Sequence, residues 1–257
     1  MSSKLPWKTA WITGASTGIG REIALQLAEA GVKVAASDRV VDKLTELEQL
    51  HPGIKSFPLD VTGSEAVKKA AGDIKAYFGA IDLAVLCAGV AHPMHAENYD
   101  AKLAVHSMDV NFNGNLRALG SLMPDMIQRR AGHIAMIASM TGYRGMTDSA
   151  AYAPSKAAII ALAESLKLDL QRYGVRMTVI NPGFVDTPIT QQLDYPLPYI
   201  MTARDAATRI IAGLKAGRYE IAFPWQMLLT TKLGRIMPNA MYFWFCRKID
   251  EQGKAQT

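Results

Sequence analysis

The chain has 257 residues, a formal net charge of +5, 49% apolar and 20% charged side chains. That length suffices for one large α/β unit, and the composition excludes a disordered, collagen-like or disulfide-framed protein. The isoelectric point near 9.1 comes from scattered basic residues, with "QRR" at Gln128–Arg130 the one notable cluster, so no basic stripe argues for nucleic acid and an anionic cofactor accounts for the charge equally well. Cys87 and Cys246 stand in unrelated contexts, and the histidines lack ligand spacing; His92 and His95 in "AHPMH" read as loop residues, so no metal site is expected. The N-terminus lacks the apolar core of a signal peptide, so a cytoplasmic location is expected.

The elements alternate in chain order. "TAWIT" (9–13) reads as a first strand, and "GREIALQLAEAG" (20–31) as a helix with Ile23, Leu25, Leu27 and Ala28 apolar and Gly31 closing it. "VKVAAS" (32–37) is a second strand, "VDKLTELEQL" (41–50) a second helix, "IKSFPLDV" (54–61) a third strand and "SEAVKKAAGDIKAYFG" (64–79) a third helix. "IDLAVLCAG" (81–89) predicts a fourth strand buried on both faces. A long helix is expected over 102–130, a fifth strand in "GHIAMIAS" (132–139), a long helix over 150–174 and a sixth strand in "VRMTVINPG" (175–183). Residues 184–201 carry three prolines and read as loop or short helices. "ARDAATRIIAGLKAG" (203–217) predicts an amphipathic helix and "YEIAFP" (219–224) a last strand. This rhythm predicts a single domain over 1–257: a Rossmann-like, doubly wound parallel sheet in three α/β/α layers.

"TGASTGIG" (13–20) places Gly14, Gly18 and Gly20 where the first strand hands over to the first helix. Glycine allows a tight turn and close backbone approach, and a helix N-terminus offers free N–H groups to an anion, so Gly14, Ser16, Thr17, Gly18, Ile19 and Gly20 form an expected dinucleotide cradle. The spacing is T-G-x-x-x-G-I-G rather than G-x-G-x-x-G, and a plain tight connection is the alternative. Asp38 follows the second strand, where an acid can hydrogen-bond ribose hydroxyls. In "YAPSK", Tyr152 and Lys156 stand at i and i+4 on one helical face, and a nearby ammonium favours a phenolate that is otherwise scarce at neutral pH. Ser139 ends the fifth strand, where a hydroxyl can hold a substrate oxygen or simply cap a turn.

These motifs, with "LDVT" (59–62), "CAG" (87–89), "VNFNG" (110–114) and "NPGFVDTP" (181–188), resemble the short-chain dehydrogenase/reductase family of the short, single-domain type in order and spacing. The resemblance covers about residues 8–188 and implies a catalytic tetrad. Tyr152 would exchange the proton with substrate oxygen and Ser139 would orient that oxygen. Lys156 would lower the Tyr152 pKa and hold the nicotinamide ribose, and Asn111 would position a water linking Lys156 to solvent. It further implies that Asp60 and Val61 flank the adenine, that Ala88 and Gly89 pass the adenosine half, and that Pro182, Gly183, Val185 and Thr187 line the nicotinamide side. Residues 189–201 would form a substrate lid, and the protein would be a homodimer or homotetramer. Leu86 and Cys87 replace two asparagines usual in the family, which is expected to alter sheet or cofactor contacts without loss of catalysis. Cys87 is read as a small hydrophobe rather than a reactive thiol.

For the cofactor, Asp38 favours NAD(H), whereas Arg39 could clamp the extra phosphate of NADP(H) or lie in solvent against the adenine. The apolar tail (225–249) is broken by Lys232, Arg235 and Pro238 and reads as two short amphipathic helices meeting at Pro238. It would either pack over the pocket or a subunit interface, or attach peripherally to a membrane. The expected function is hydride transfer between a nicotinamide and a secondary alcohol or ketone of hydrophobic character, such as a steroid-like, retinoid-like or acyl compound. The alternatives are a non-catalytic dinucleotide sensor or scaffold, and a lyase or isomerase on the same fold.

Overall fold

The computed structural model describes residues 4–193 and 197–254; Asp194, Tyr195 and Pro196 of the expected lid lie outside the described residues. Seven parallel strands form the central sheet: β1 (Thr9–Thr13), β2 (Lys33–Ser37), β3 (Ile54–Ser56), β4 (Leu83–Leu86), β5 (Gly132–Ile137), β6 (Val175–Pro182) and, from the end of the chain, β9 (Glu220–Phe223). Their order is β3-β2-β1-β4-β5-β6-β9. The chain winds outwards from β1 to β3, then returns to the other side of β1 with β4. That reversal opens a crevice beyond the carboxyl ends of β1 and β4, the place where such sheets hold ligands.

Side-chain alternation along the strands builds two cores. Trp11, Ala84, Leu86, Ile134 and Met136 point to one face, under α3 (Ser64–Phe78), α5 (Gly114–Arg129) and α6 (Tyr152–Arg172). Ala10, Ile12, Leu83, Val85 and Ala135 point to the other, under α1 (Gly18–Glu29), α2 (Val41–Leu50) and α7 (Ala203–Lys215). Both faces are therefore apolar, as expected of a parallel sheet sandwiched by helices. In α1 the buried positions are Gly20, Ile23, Ala24, Leu27 and Ala28, with Leu25 only partly covered.

Several boundaries differ from the sequence expectations, and three of these bear on the cleft. β3 stops at Ser56, yet Phe57 and Leu59 still donate to the Ala36 and Asp38 carbonyls at 2.8 and 2.9 Å, and Pro58 between them faces the open edge of the sheet, where a missing N–H breaks no bond. β4 stops at Leu86 because the Thr13 hydroxyl takes the N–H groups of Cys87 and Ala88 at 3.0 and 3.2 Å. The helix expected over 102–130 is α4 (Ala101–Met108) and α5 joined by a π-helical turn at Asp109–Asn113. Asp100 caps α4 by accepting from the N–H of Lys102 and of Leu103. The segment read as loop after β6 contains a short parallel pair, β7 (Val185–Asp186) with β8 (Met201–Thr202). The tail forms α8 (Trp225–Ile236) and α9 (Asn239–Lys254) on either side of Pro238. Among the described residues no helix is long and apolar enough to cross a membrane.

Candidate active site

The glycine turn between β1 and α1 is shaped by missing side chains. Gly14 has φ +67°, and a Cβ on it would lie 2.7 Å from the Ala88 nitrogen. Gly18 has φ +54°, and a Cβ there would lie 2.8 Å from the Thr187 Cγ2. Both positions need glycine for conformation and for space. Thr17 precedes α1 without a side-chain cap, and the first turn of that helix holds no acid at its positive end. An exposed, backbone-walled helix N-terminus suits a pyrophosphate, which is what the sequence pattern requires of it.

The cleft beyond the strand ends encloses about 340 Å³. Gly14, Ser16, Thr17, Gly18 and Ile19 line it, together with Asp38, Arg39, Asp60, Val61, Ala88 and Gly89. Ser139, Tyr152, Lys156, Pro182, Gly183, Val185 and Thr187 also line it, and so do Ile189, Thr190 and Gln192 of the expected lid. Two expected residues stand behind the surface. Gly20 packs α1 against the carbonyl of Gly14, and Asn111 is wholly buried. A larger groove of about 650 Å³ runs between α3 and α5, and none of the expected residues lines it.

Asp38 follows β2 directly. Its carboxylate accepts from the N–H of Ser16 at 3.3 Å and of Val40 at 3.2 Å, which ties the glycine turn to the second strand. Asp60 accepts from the N–H and hydroxyl of Thr62 at 2.9 and 2.7 Å, and these bonds hold its carboxyl below the usual range. Gly114 lets α5 lie against Val61, since a Cβ would sit 2.9 Å from the Val61 Cγ2.

Tyr152 opens α6, and Lys156 follows one turn later with its Nζ 5.4 Å from the centre of the Tyr152 ring. Lys156 is buried, donates to the Ile137 carbonyl at 2.9 Å, and is pushed down to about 8 by desolvation. Ser139 lies two residues past the end of β5 rather than ending it, and caps the short turn that follows: its Oγ accepts from the Thr141 N–H and donates to the Thr141 hydroxyl, both at 3.2 Å. Asn111 sits in the π-helical turn. Its Oδ1 accepts from the Val90 N–H at 2.7 Å, and its Nδ2 donates to the Val90 carbonyl and the Ser155 Oγ, both at 2.9 Å. Ser155 Oγ in turn donates to the Tyr152 carbonyl at 2.7 Å. One buried amide thus fixes the loop after β4 and the first turn of α6. Cys87 is half-buried, and desolvation pushes its thiol up to about 11, which disfavours the thiolate at neutral pH.

Sequence reasoning missed several wall residues. Lys43, one turn into α2, borders the Asp38–Arg39 end, and nothing local distinguishes it from any exposed helical lysine. Val90 in the loop after β4, Val110 in the π-helical turn and Ile137 at the end of β5 also line the cleft, positions that only the tertiary fold brings together. His95 and Asp148 join the loops after β4 and β5: Nδ1 and Oδ1 lie 2.6 Å apart, and the Met94 N–H donates to the Asp148 carbonyl at 3.0 Å.

Known proteins bear on this site. A family model described as short chain dehydrogenase matches residues 8–196. An uncharacterized oxidoreductase of Myxococcus xanthus strain DK1622 is 35% identical over 251 residues, 96% of this chain and 99% of that protein. An uncharacterized oxidoreductase of Staphylococcus epidermidis strain ATCC 12228 is 33% identical over 82% of this chain and 93% of its own length. Among solved structures, one named ribose-5-phosphate isomerase from Brucella melitensis 16M is 28% identical with a TM-score of 0.79, covering 87% of this chain and 93% of that one. A short chain dehydrogenase/reductase from Burkholderia phymatum in complex with NAD is 24% identical with a TM-score of 0.83, over 90% and 94% of the two chains, a likeness of fold. The chain belongs to the short-chain dehydrogenase/reductase family of oxidoreductases.

Proposed function

We propose that the protein transfers a hydride between a nicotinamide cofactor and a secondary alcohol or ketone, with Tyr152 as acid and base. The observation that carries this reading is one cleft that holds Tyr152 beside a buried ammonium and opens onto a glycine-walled helix N-terminus. When bound, the nicotinamide ring donates or accepts the hydride. The side chains of the protein orient the substrate and move its proton.

With its pKa near 8, Lys156 is mostly cationic at neutral pH, and a cation 5.4 Å from the phenol ring favours the phenolate. Tyr152 Oη gives the proton to a developing alkoxide or takes it from an alcohol, and Ser139 Oγ orients that oxygen. Asn111 acts at one remove: through Ser155 it holds the Tyr152 backbone in place. The space beside Gly89, where a Cβ would lie 3.3 Å from Asn111 Oδ1 and 3.5 Å from Lys156 Nζ, supports a water link between those two residues.

NAD(H) is the favoured cofactor. The Asp38 carboxylate stands at the end of β2, where it would accept from ribose hydroxyls and repel a 2′-phosphate. Arg39 and Lys43 border the same end and support NADP(H) as the alternative. Met227 of α8 presses on Gly183, where a Cβ would lie 2.8 Å from its sulfur, and this apolar neighbour supports a hydrophobic substrate. A homodimer or homotetramer is the corresponding assembly. An isomerase on this fold is the second reading, favoured by the likeness to the Brucella structure, and it would convert substrate without net cofactor turnover.

The test is Tyr152→Phe in a panel of ketones and alcohols followed by nicotinamide absorbance. Turnover should fall by about 10²-fold or more, with cofactor affinity nearly unchanged. Substantial residual turnover would remove Tyr152 from the proton transfer.

A further inference from the structure

The sheet alone does not aim Ser139. Its hydroxyl is bonded to the N–H and the hydroxyl of Thr141, both at 3.2 Å, so the turn Met140–Gly142 decides where the oxygen points. That turn rests on α6. A Cβ on Gly142 would sit 2.8 Å from the Lys156 carbonyl carbon, so glycine lets the turn lie directly on the helix that carries Tyr152 and Lys156. A shift of the turn would move Ser139 Oγ relative to both.

The residues just past the turn are held by the far end of the chain. Tyr143 is buried; its Oη donates to Glu220 Oε1 of β9 and accepts from Asn181 Nδ2 at 3.0 Å. Asn181 Nδ2 also donates to Glu220 at 3.1 Å, and Lys232 of α8 pairs with the other Glu220 oxygen at 2.5 Å. Arg144 donates to the Gly234 carbonyl, to the Met237 carbonyl at 2.7 Å and to Asn239 Oδ1 at 2.7 Å. Its guanidinium lies 3.8 Å from the centre of the Tyr242 ring, and Tyr242 Oη donates to the Gly145 carbonyl at 2.7 Å. The cation meets the negative end of α8, and its planar fork reaches three acceptors while stacking on a ring, which an ammonium cannot do. Side chains and carbonyls of α8 and α9 thus grip the chain immediately beyond the Ser139 turn.

We propose that Arg144 is a positioning residue for Ser139, and that the C-terminal helices act through it as part of the active site. The end of α8 and Tyr242 hold Arg144 and Gly145, these hold the turn, and the turn aims the Ser139 hydroxyl at the substrate oxygen. The inference rests on the hydride-transfer reading in which Ser139 orients that oxygen. It concerns the substrate half of the cleft and leaves the glycine turn and Asp38 of the dinucleotide half untouched.

The test begins without substrate, so that it stands apart from that reading. Amide hydrogen exchange compares the full-length parent with Arg144→Ala and with Tyr242→Phe. The N–H groups of Thr141, Gly142 and Tyr143 bond to Ser139 Oγ, the Ser139 carbonyl and the Met140 carbonyl. They should exchange at least about tenfold faster in Arg144→Ala and less so in Tyr242→Phe, while β5 exchanges as in the parent. Tyr242→Phe loses one hydroxyl and keeps its ring, so it decides the matter even where Arg144→Ala folds poorly. Parent-like exchange of the turn overturns the proposal, and so does faster exchange that extends equally through β5. Turnover then tests the link to Ser139. Arg144→Ala should lower kcat by about tenfold or more with cofactor affinity unchanged. In a Ser139→Ala background the same change should cause little further loss, and independent, multiplicative losses overturn the proposal. Full turnover in Ser139→Ala, with the turn still loosened by Arg144→Ala, would place the failure in the reading of Ser139 and overturn the proposal with it.

Discussion

Asn111→Ala, a truncation just behind the cleft wall, should be costly. The change deletes three hydrogen bonds, of 2.7, 2.9 and 2.9 Å, from a side chain with no solvent exposure. A net hydrogen bond contributes about 1 kcal/mol, and a buried group left unpaired costs about 1–3 kcal/mol. Val90 would lose partners for both its N–H and its carbonyl, while Ser155 keeps its bond to the Tyr152 carbonyl. The expected destabilisation is about 3 kcal/mol, a large share of an ordinary folding free energy of about 5–15 kcal/mol. Ser155→Ala should cost only about 1 kcal/mol, and the two changes should couple by about 1 kcal/mol, since each removes the same Asn111–Ser155 bond. Urea unfolding followed by far-ultraviolet circular dichroism on the two single variants and the double variant measures all three quantities. A loss below about 0.5 kcal/mol for Asn111→Ala, or strict additivity with Ser155→Ala, would refute the claim that this amide fixes the cleft.

Two further expectations concern charge. His133 is buried with its Nε2 2.8 Å from the Thr178 hydroxyl, and desolvation pushes its pKa from 6.5 down to about 4. The unfolded chain binds this proton near 6.5 and the folded chain only near 4, so the contribution is full above the first value and is lost as pH falls towards the second, by up to about 3 kcal/mol. Denaturant titrations at pH 7 and pH 4.5 should show this loss for the parent and a smaller one for His133→Gln; equal losses would rule the histidine out. Asp38→Ala should weaken NADH binding by about tenfold, the worth of one or two charge-assisted hydrogen bonds, and NADPH binding much less, because Arg39 and Lys43 remain. Nicotinamide fluorescence titrations with both cofactors give the answer, and equal weakening would remove Asp38 as the selector.

Much of the architecture was legible because its signals are local. The short apolar run in "TAWIT" and the glycine after it state both the first strand and its turn, and Tyr152 and Lys156 share a helix face by spacing alone. Boundaries that depend on a distant partner were not legible. The end of β4 is set by the Thr13 hydroxyl, and no feature of "IDLAVLCAG" announces that capture. The π-helical turn likewise depends on Asn111 reaching Val90 and Ser155, neither of which is near it in sequence. The pairing of β7 with β8 joins residues on either side of a proline-rich segment, where local pattern indicated only loop. Lys43 was invisible for the opposite reason: its helical context is ordinary, and only the return of the chain beside β2 brings it to the cleft.

The π-helical turn also bears on which length changes the chain can absorb. A wider turn of this kind is equivalent to one residue added to a regular helix. Deleting a single residue between Asp109 and Asn113 would restore an unbroken α-helix from α4 into α5, with every backbone bond satisfied. It would also rotate α4 by about 100° relative to α5 and draw it in by about 1.5 Å. The apolar face of α5 would stay on the sheet, whereas Asp100 and the loop containing His95 would be carried out of register with Asp148. Secondary-structure content would hardly change, yet the wall between the loops after β4 and β5 would come apart. Tolerated insertions and deletions should therefore fall in the turns outside this helix, and a one-residue deletion inside it should yield a folded protein with a disordered cleft rim.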